Sequence, residues 1–187
     1  MPSATSTILL NTTNFKQSPA MCGPACLKIV ASYFGIEIGE RRLIRVCKSS
    51  KITGTTGTNL VKGARELGFH AEIIDGADFK VIGKWLRNGT PVIVDWMSVS
   101  EDLRTKRHIA GGHYSVVCGL NRDSIVLEDP AIGRRRAIPR RRFLNVWFDF
   151  THVYPKVRDD LIIRRLIIIA KATTMRPTPK GRPNLHF

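Results

Sequence analysis

The sequence predicts an α+β fold, and three observations predict it. Helical periodicity is concentrated in the first half of the chain, where Leu27, Val30, Ala31 and Phe34 recur on one face. The second half holds short runs rich in β-branched residues, at 92–96, 114–118 and 125–128. Between two of these runs stands a tight-turn triplet, Asn121-Arg122-Asp123. Helices first and hairpin-linked strands after segregate into a helical part and an antiparallel sheet.

The elements follow in chain order. Residues 1–13 are a polar lead-in. A helix opens at about Pro24, whose missing N–H costs nothing in a first turn, and Gly35 is its stop. Residues 36–43 and 61–67 read as further helical material, with a Gly/Thr-rich loop at 51–59 between them. Residues 71–74 form a short strand and 79–88 a short helix. Runs 92–96, 114–118, 125–128, 135–138 and 162–170 supply the antiparallel sheet. Residues 1–170 read as one domain. Residues 171–187, with three prolines and little apolar periodicity, read as a basic, flexible tail.

Composition bounds the possibilities. A chain of 187 residues with 43% apolar content can bury a proper core. Its four cysteines are unevenly spread, which argues for a reducing, cytoplasmic compartment and against a disulfide framework. The first ten residues carry no signal-peptide pattern. The apolar run 161–170 is too short to span a bilayer and contains two arginines. The chain therefore reads as a stand-alone domain without a transmembrane segment. No Cys-x-x-Cys or His-Glu-x-x-His pattern points to a metal, and no cofactor is expected.

The chemistry is concentrated in two segments. Cys22 stands at or just before the N-terminus of the first helix. The partial positive charge there favours a thiolate, which is a nucleophile. Downstream, His113 opens the run 114–118, and the run after the Asn121 turn ends beside Asp129. A hairpin brings the end of its second strand back to the start of its first, so Asp129 falls within reach of His113. Nucleophile, base and orienter then occur in the order Cys22, His113, Asp129.

These segments resemble the C39 family of cysteine peptidases. The shared pattern is Gln17, then Cys22-Gly-Pro-Ala-Cys-Leu, then Gly-His113-Tyr-Ser-Val-Val-Cys-Gly, then Asp129-Pro-Ala-Ile-Gly. Three further stretches are similar: the Gly/Thr turn and helix at 55–68, the Leu86…Gly-Thr-Pro-Val-Ile-Val strand, and the closing Phe143…Trp147. The likeness runs over about residues 14–150. It implies a papain-like fold, hydrolysis of a peptide or protein substrate, and in its best-known members removal of a leader peptide after a Gly-Gly pair. It also implies roles: Cys22 as nucleophile, His113 as base and then acid, Asp129 as orienter, and Gln17 as oxyanion donor beside the Cys22 N–H. Gln17 stands one residue nearer the cysteine than the papain-like pattern places it.

Other readings stand beside this one. A thiol acyltransferase on the same fold, similar to phytochelatin synthase, shares the acyl-enzyme step and differs only in its acceptor. A basic binding module with a vestigial site is the third. Cys26, Cys47 and Cys118 read as small buried hydrophobes; His70, His108, His152 and His186 read as surface or packing residues. Thirty Lys and Arg against fifteen Asp and Glu give a net charge of +15. The densest basic cluster is Arg134, Arg135 and Arg136 with Arg140, Arg141 and Arg142. A charge run is usually a solvated face, and that is the expectation here. The functional reading is an acidic partner; without interleaved aromatics or a recognition motif, nucleic acid is not indicated. The polar stretch 98–110 is expected to be a loop bordering the cleft.

Overall fold

The computed structural model describes residues 7–101, 108–151 and 160–171. The elements are β1 (Ile8–Leu9), α1 (Cys22–Tyr33), α2 (Glu40–Val46), α3 (Gly57–Glu66), β2 (Phe69–Ile74), α4 (Phe79–Arg87), β3 (Val92–Glu101), β4 (His108–Leu120), β5 (Ser124–Asp129), β6 (Arg134–Pro139), α5 (Arg140–Leu144), β7 (Phe148–Phe150), β8 (Leu161–Ile163) and β9 (Arg165–Lys171). The α+β expectation holds. The main sheet runs β2-β9-β3-β4-β5-β6, with β1 paired to the far end of β4, and β7 pairs β8 in a separate ribbon.

Side-chain alternation on the strands gives the sheet two apolar faces. Ile167 and Ile169 of β9 join Ile93, Tyr114 and Val116 in packing against Leu27, Ile29, Leu43 and Leu60 of the first three helices. Leu166 and Ile168 face the other way. They join Val92, Val94 and Trp96 against Ile82 and Leu86 of α4, Phe143 of α5 and Trp147. Asp78 caps α4 by accepting from the Lys80 and Val81 N–H groups, both at 2.9 Å.

Several expectations need correction. Residues 36–39 are not helical: Gly39 is extended, with φ −67° and ψ 141°, so α2 begins only at Glu40. The helix expected at 61–67 starts earlier, at Gly57, because the Thr56 side chain caps it by accepting from the Asn59 N–H. The run 162–170 is two strands. Arg164 takes φ 49° and turns the chain, so Leu161–Ile163 pairs with β7 while Arg165–Lys171 lies between β2 and β3. The lead-in contributes β1, with Ile8 opposite Leu120. Most of 98–110 extends β3 and β4, with Ser98 opposite Gly111 and Glu101 opposite His108. The tail expected at 171–187 begins later, since Lys171 closes β9 opposite Phe69; its residues 172–187, like residues 102–107, lie outside the described residues. No helix among the described residues is long and apolar enough to cross a membrane.

Candidate active site

Cys22 is the first residue of α1, and Met21 is its N-cap. The Met21 carbonyl accepts the Ala25 N–H at 3.0 Å, which starts the helical ladder on the residue before the cysteine. The adjoining Gly23 packs on Thr55; a β-carbon there would lie 2.8 Å from Thr55 Cβ, so this approach admits only glycine. The preceding loop is tied down from α2. Glu40 accepts from the Ser18 N–H at 3.2 Å and from the Ser18 hydroxyl at 3.0 Å. A turn from the Met21 N–H to the Ser18 carbonyl, 3.0 Å, closes it.

His113 and Asp129 come together across the β4–β5 hairpin. The Asn121 side chain sets the turn by accepting from the Asp123 and Ser124 N–H groups at 2.9 and 2.8 Å. His113 Nε2 lies 2.8 Å from Asp129 Oδ1, and both residues are buried. The imidazole also hydrogen-bonds Cys22. With Nε2 taken by Asp129, Nδ1 is the nitrogen left for the sulfur. Burial alone would lower the imidazolium pKa, but the Asp129 hydrogen bond, the Cys22 hydrogen bond and the charges of both partners raise it to about 9. Asp129 is driven the other way. Burial pushes its carboxyl up, and His113, the Ala131 N–H and Arg136 outweigh that and hold it below the ordinary value. At neutral pH the pair is imidazolium and carboxylate, with a sulfur against the free face of the ring.

Gln17 is brought to the same place by its backbone: its N–H donates to the Pro130 carbonyl at 3.0 Å, one residue beyond Asp129. Its Oε1 is buried with no partner among the described residues. The other cysteines differ from Cys22. All four are free thiols, and only Cys22 is not fully buried. Burial pushes the Cys47 thiol up to about 12 and the Cys118 thiol up to about 11, and raises Cys26 well above its ordinary value. His70 sits half-buried on β2, away from these groups; the side chains of His108, His152 and His186 lie outside the described residues.

Four features escaped the sequence. Trp96 lies directly opposite His113 in the β3–β4 register and meets its ring edge-on, with centroids 5.9 Å apart. Its indole N–H donates to the Ser115 hydroxyl at 3.1 Å. Arg136 bonds Asp129 Oδ2 at 3.0 Å. Asp149 packs on Gly112, where a β-carbon would overlap its carboxylate, and shares a hydrogen bond with Asp95. Burial, then the charge and hydrogen bond of Asp149, hold Asp95 well above the usual carboxylate range. Finally, the buried Glu128 accepts from Arg135 Nη2 and Nε at 2.6 and 2.8 Å and from the Thr12 hydroxyl at 2.7 Å.

The basic cluster is therefore not a uniform solvated face. Arg134, Arg135, Arg141 and Arg142 are exposed and Arg136 and Arg140 half-buried, yet Arg135 and Arg136 each pair with a buried acid and Arg140 stacks 5.0 Å over Phe79. Alternation along β6 sends Arg135 and Arg136 to different acids. Among the described residues no three His, Cys, Asp or Glu side chains form a group able to hold a metal.

Comparison with known proteins bears on this geometry. A model described as the peptidase C39 family matches residues 12–153. The chain is 32% identical over 131 residues to the transport/processing ATP-binding protein ComA of Streptococcus pneumoniae, covering 70% of this chain and 17% of that protein. It is 28% identical over 122 residues to the lactococcin-G-processing and transport ATP-binding protein LagD of Lactococcus lactis, covering 65% of this chain and 16% of that one. The chain thus spans less than a fifth of these relatives. Among solved structures, the peptidase domain of Streptococcus ComA superposes with a TM-score of 0.61 at 25% identity, covering 85% of this chain and 98% of that domain. A C39-like peptidase from Bacillus anthracis has the same fold, with a TM-score of 0.64 at 16% identity, covering 89% and 98%. So has a double glycine motif protease in complex with its leader peptide, with a TM-score of 0.61 at 19% identity, covering 88% and 94%.

Proposed function

Because the chain belongs to the peptidase C39 family and is thus a cysteine peptidase, we propose that Cys22, His113 and Asp129 are its catalytic triad and that its substrate is a leader peptide cut after a glycine pair. The observation that carries the reading is the placement of His113, with Nε2 2.8 Å from Asp129 and its other face toward a sulfur at a helix N-terminus.

Each group then has a step. The Cys22 thiolate attacks the scissile carbonyl carbon, and the electron pair moves onto the carbonyl oxygen. That oxyanion is received by the Cys22 N–H at the start of α1 and by the Gln17 side-chain amide. His113, already protonated, gives its proton to the leaving nitrogen as the C–N bond breaks, leaving a thioester on Cys22. A water then gives a proton to the neutral imidazole and attacks the thioester. Collapse breaks the C–S bond and releases the new carboxylic acid, which gives its proton to solvent, while the proton taken from water stays on His113 beside the regenerated thiolate. Asp129 keeps the ring in one tautomer throughout. The four free thiols suit a cytoplasmic setting, which is part of the proposal.

The test is a synthetic peptide carrying a Gly-Gly junction, followed by mass spectrometry. Cleavage after the second glycine is expected, lost in Cys22→Ala and in His113→Ala. Undiminished cleavage by Cys22→Ala would refute the nucleophile. An active enzyme indifferent to the glycine pair would refute the substrate alone.

A further inference from the structure

Asp129 is gripped from two sides. Its Oδ1 faces His113 Nε2 at 2.8 Å and accepts the Ala131 N–H at 3.0 Å. Its Oδ2 accepts from Arg136 Nη1 at 3.0 Å. Arg136 comes from β6, where its register partner is Leu127, so it reaches diagonally across the sheet. Its guanidinium also lies 5.4 Å over the Trp96 ring, and Trp96 in turn meets His113 edge-on. Asp129, His113, Trp96 and Arg136 thus close a ring of contacts. The solvated face expected of the arginine run has no use for such a contact, and Asp129 is only 2% exposed while the Arg136 side chain is 39% exposed.

We infer that Arg136 is a positioning residue for the triad: it fixes the plane of the Asp129 carboxylate and takes part of its negative charge. The inference rests on the triad proposed above. Two consequences follow. Without a donor on Oδ2 the carboxylate is free to turn about its Cβ–Cγ bond, and the imidazole loses its fixed direction toward the sulfur. With the donor kept but the charge removed, Asp129 pulls harder on the imidazolium, which then releases its proton less readily to the leaving nitrogen.

Three variants separate these effects when kcat, KM and the pH dependence of kcat/KM are measured on a cleavable peptide. Arg136→Ala should lower kcat about tenfold with KM little changed, since misplaced catalytic groups cost up to about 10². Arg136→Lys should restore most of that rate. Arg136→Gln keeps a donor without the charge and should move the basic limb upward by about half a unit to one unit of pH, a modest shift because the guanidinium is partly solvated. In an Asp129→Asn background none of these changes should appear. If Arg136→Ala fails to fold by thermal melt, the Lys and Gln variants decide the matter by rate and limb position. Wild-type rates and an unmoved limb in the Arg136 variants, with Asp129→Asn crippled, would overturn the inference and leave the triad standing. Equal losses with and without Asp129 would assign Arg136 a merely structural role and also overturn it. Full activity in Asp129→Asn would overturn the triad, and this inference with it.

Discussion

The imidazolium of His113 is the most measurable consequence of the site. Its pKa is raised to about 9 from an ordinary 6.5 despite burial that works against the charged form. That gap corresponds to roughly 3 kcal/mol of preference for the protonated ring, supplied by Asp129 on one nitrogen and Cys22 on the other. Cys22→Ser keeps a hydrogen-bonding oxygen but removes the negative charge, so the His113 pKa should fall by roughly one unit. Asp129→Asn removes the strongest favourable partner, and burial then dominates, so the pKa should fall further than in the serine variant. The assay is a two-dimensional NMR titration of the histidine ring resonances, with His113 assigned by its loss in His113→Gln. The sign carries over to stability in the Cys22→Ser protein, where no thiol titrates at the site. There the His113–Asp129 contribution is full between the ordinary carboxyl value of 3.8 and the ordinary imidazole value of 6.5; it fades as pH rises through the folded His113 value, and again as pH falls through the lowered Asp129 value. A native His113 titrating near 6.5, or a high value unmoved in Asp129→Asn, would refute the electrostatic account.

Two further predictions concern the frame around the site. Arg135→Ser should destabilise the protein by about 3 kcal/mol, because it strands the fully buried Glu128 carboxylate. Thermal melts check it, and Glu128→Gln in the same chain should recover part of the loss, whereas a neutral Arg135→Ser would show that the pair adds nothing to stability. Asp78→Ala should cost about 1 kcal/mol by exposing the first turn of α4, read as a melting temperature lower by about 2–4 °C; an unchanged melt would mean the cap is redundant.

What the sequence disclosed was local. Pro24, Gly35 and the apolar spacing between them mark α1, and Cys22 stands where they put its start. The Asn121 turn and the flanking runs were enough to fold Asp129 back on His113, because hairpin geometry depends on neighbours in the chain. What escaped was set by side-chain reach and by register. Arg136 lies only seven residues from Asp129 on the neighbouring strand, but it is opposite Leu127 and meets Asp129 on a diagonal, and Trp96 meets His113 through a register that no short window contains. Asp149 reaches Gly112 from a separate ribbon. The break at Arg164 needs a left-handed backbone at a residue that is not glycine, which no propensity foretells. The early start of α3 was readable: Thr56 three residues before the Asn59 N–H it caps is an N-terminal signal, hidden in a Gly/Thr-rich stretch.

The most direct test of Cys22 as a His113-activated nucleophile is its alkylation rate with and without His113. Brief treatment with iodoacetamide at neutral pH and peptide mapping gives each thiol its own rate. Cys22 should label far faster than Cys26, Cys47 or Cys118, because it alone is not fully buried and its sulfur meets the His113 imidazole, whereas burial pushes the other three thiols up. In His113→Ala the labelling of Cys22 at the same pH should be much slower. Equal labelling of all four cysteines, or a Cys22 rate indifferent to His113, would contradict the account.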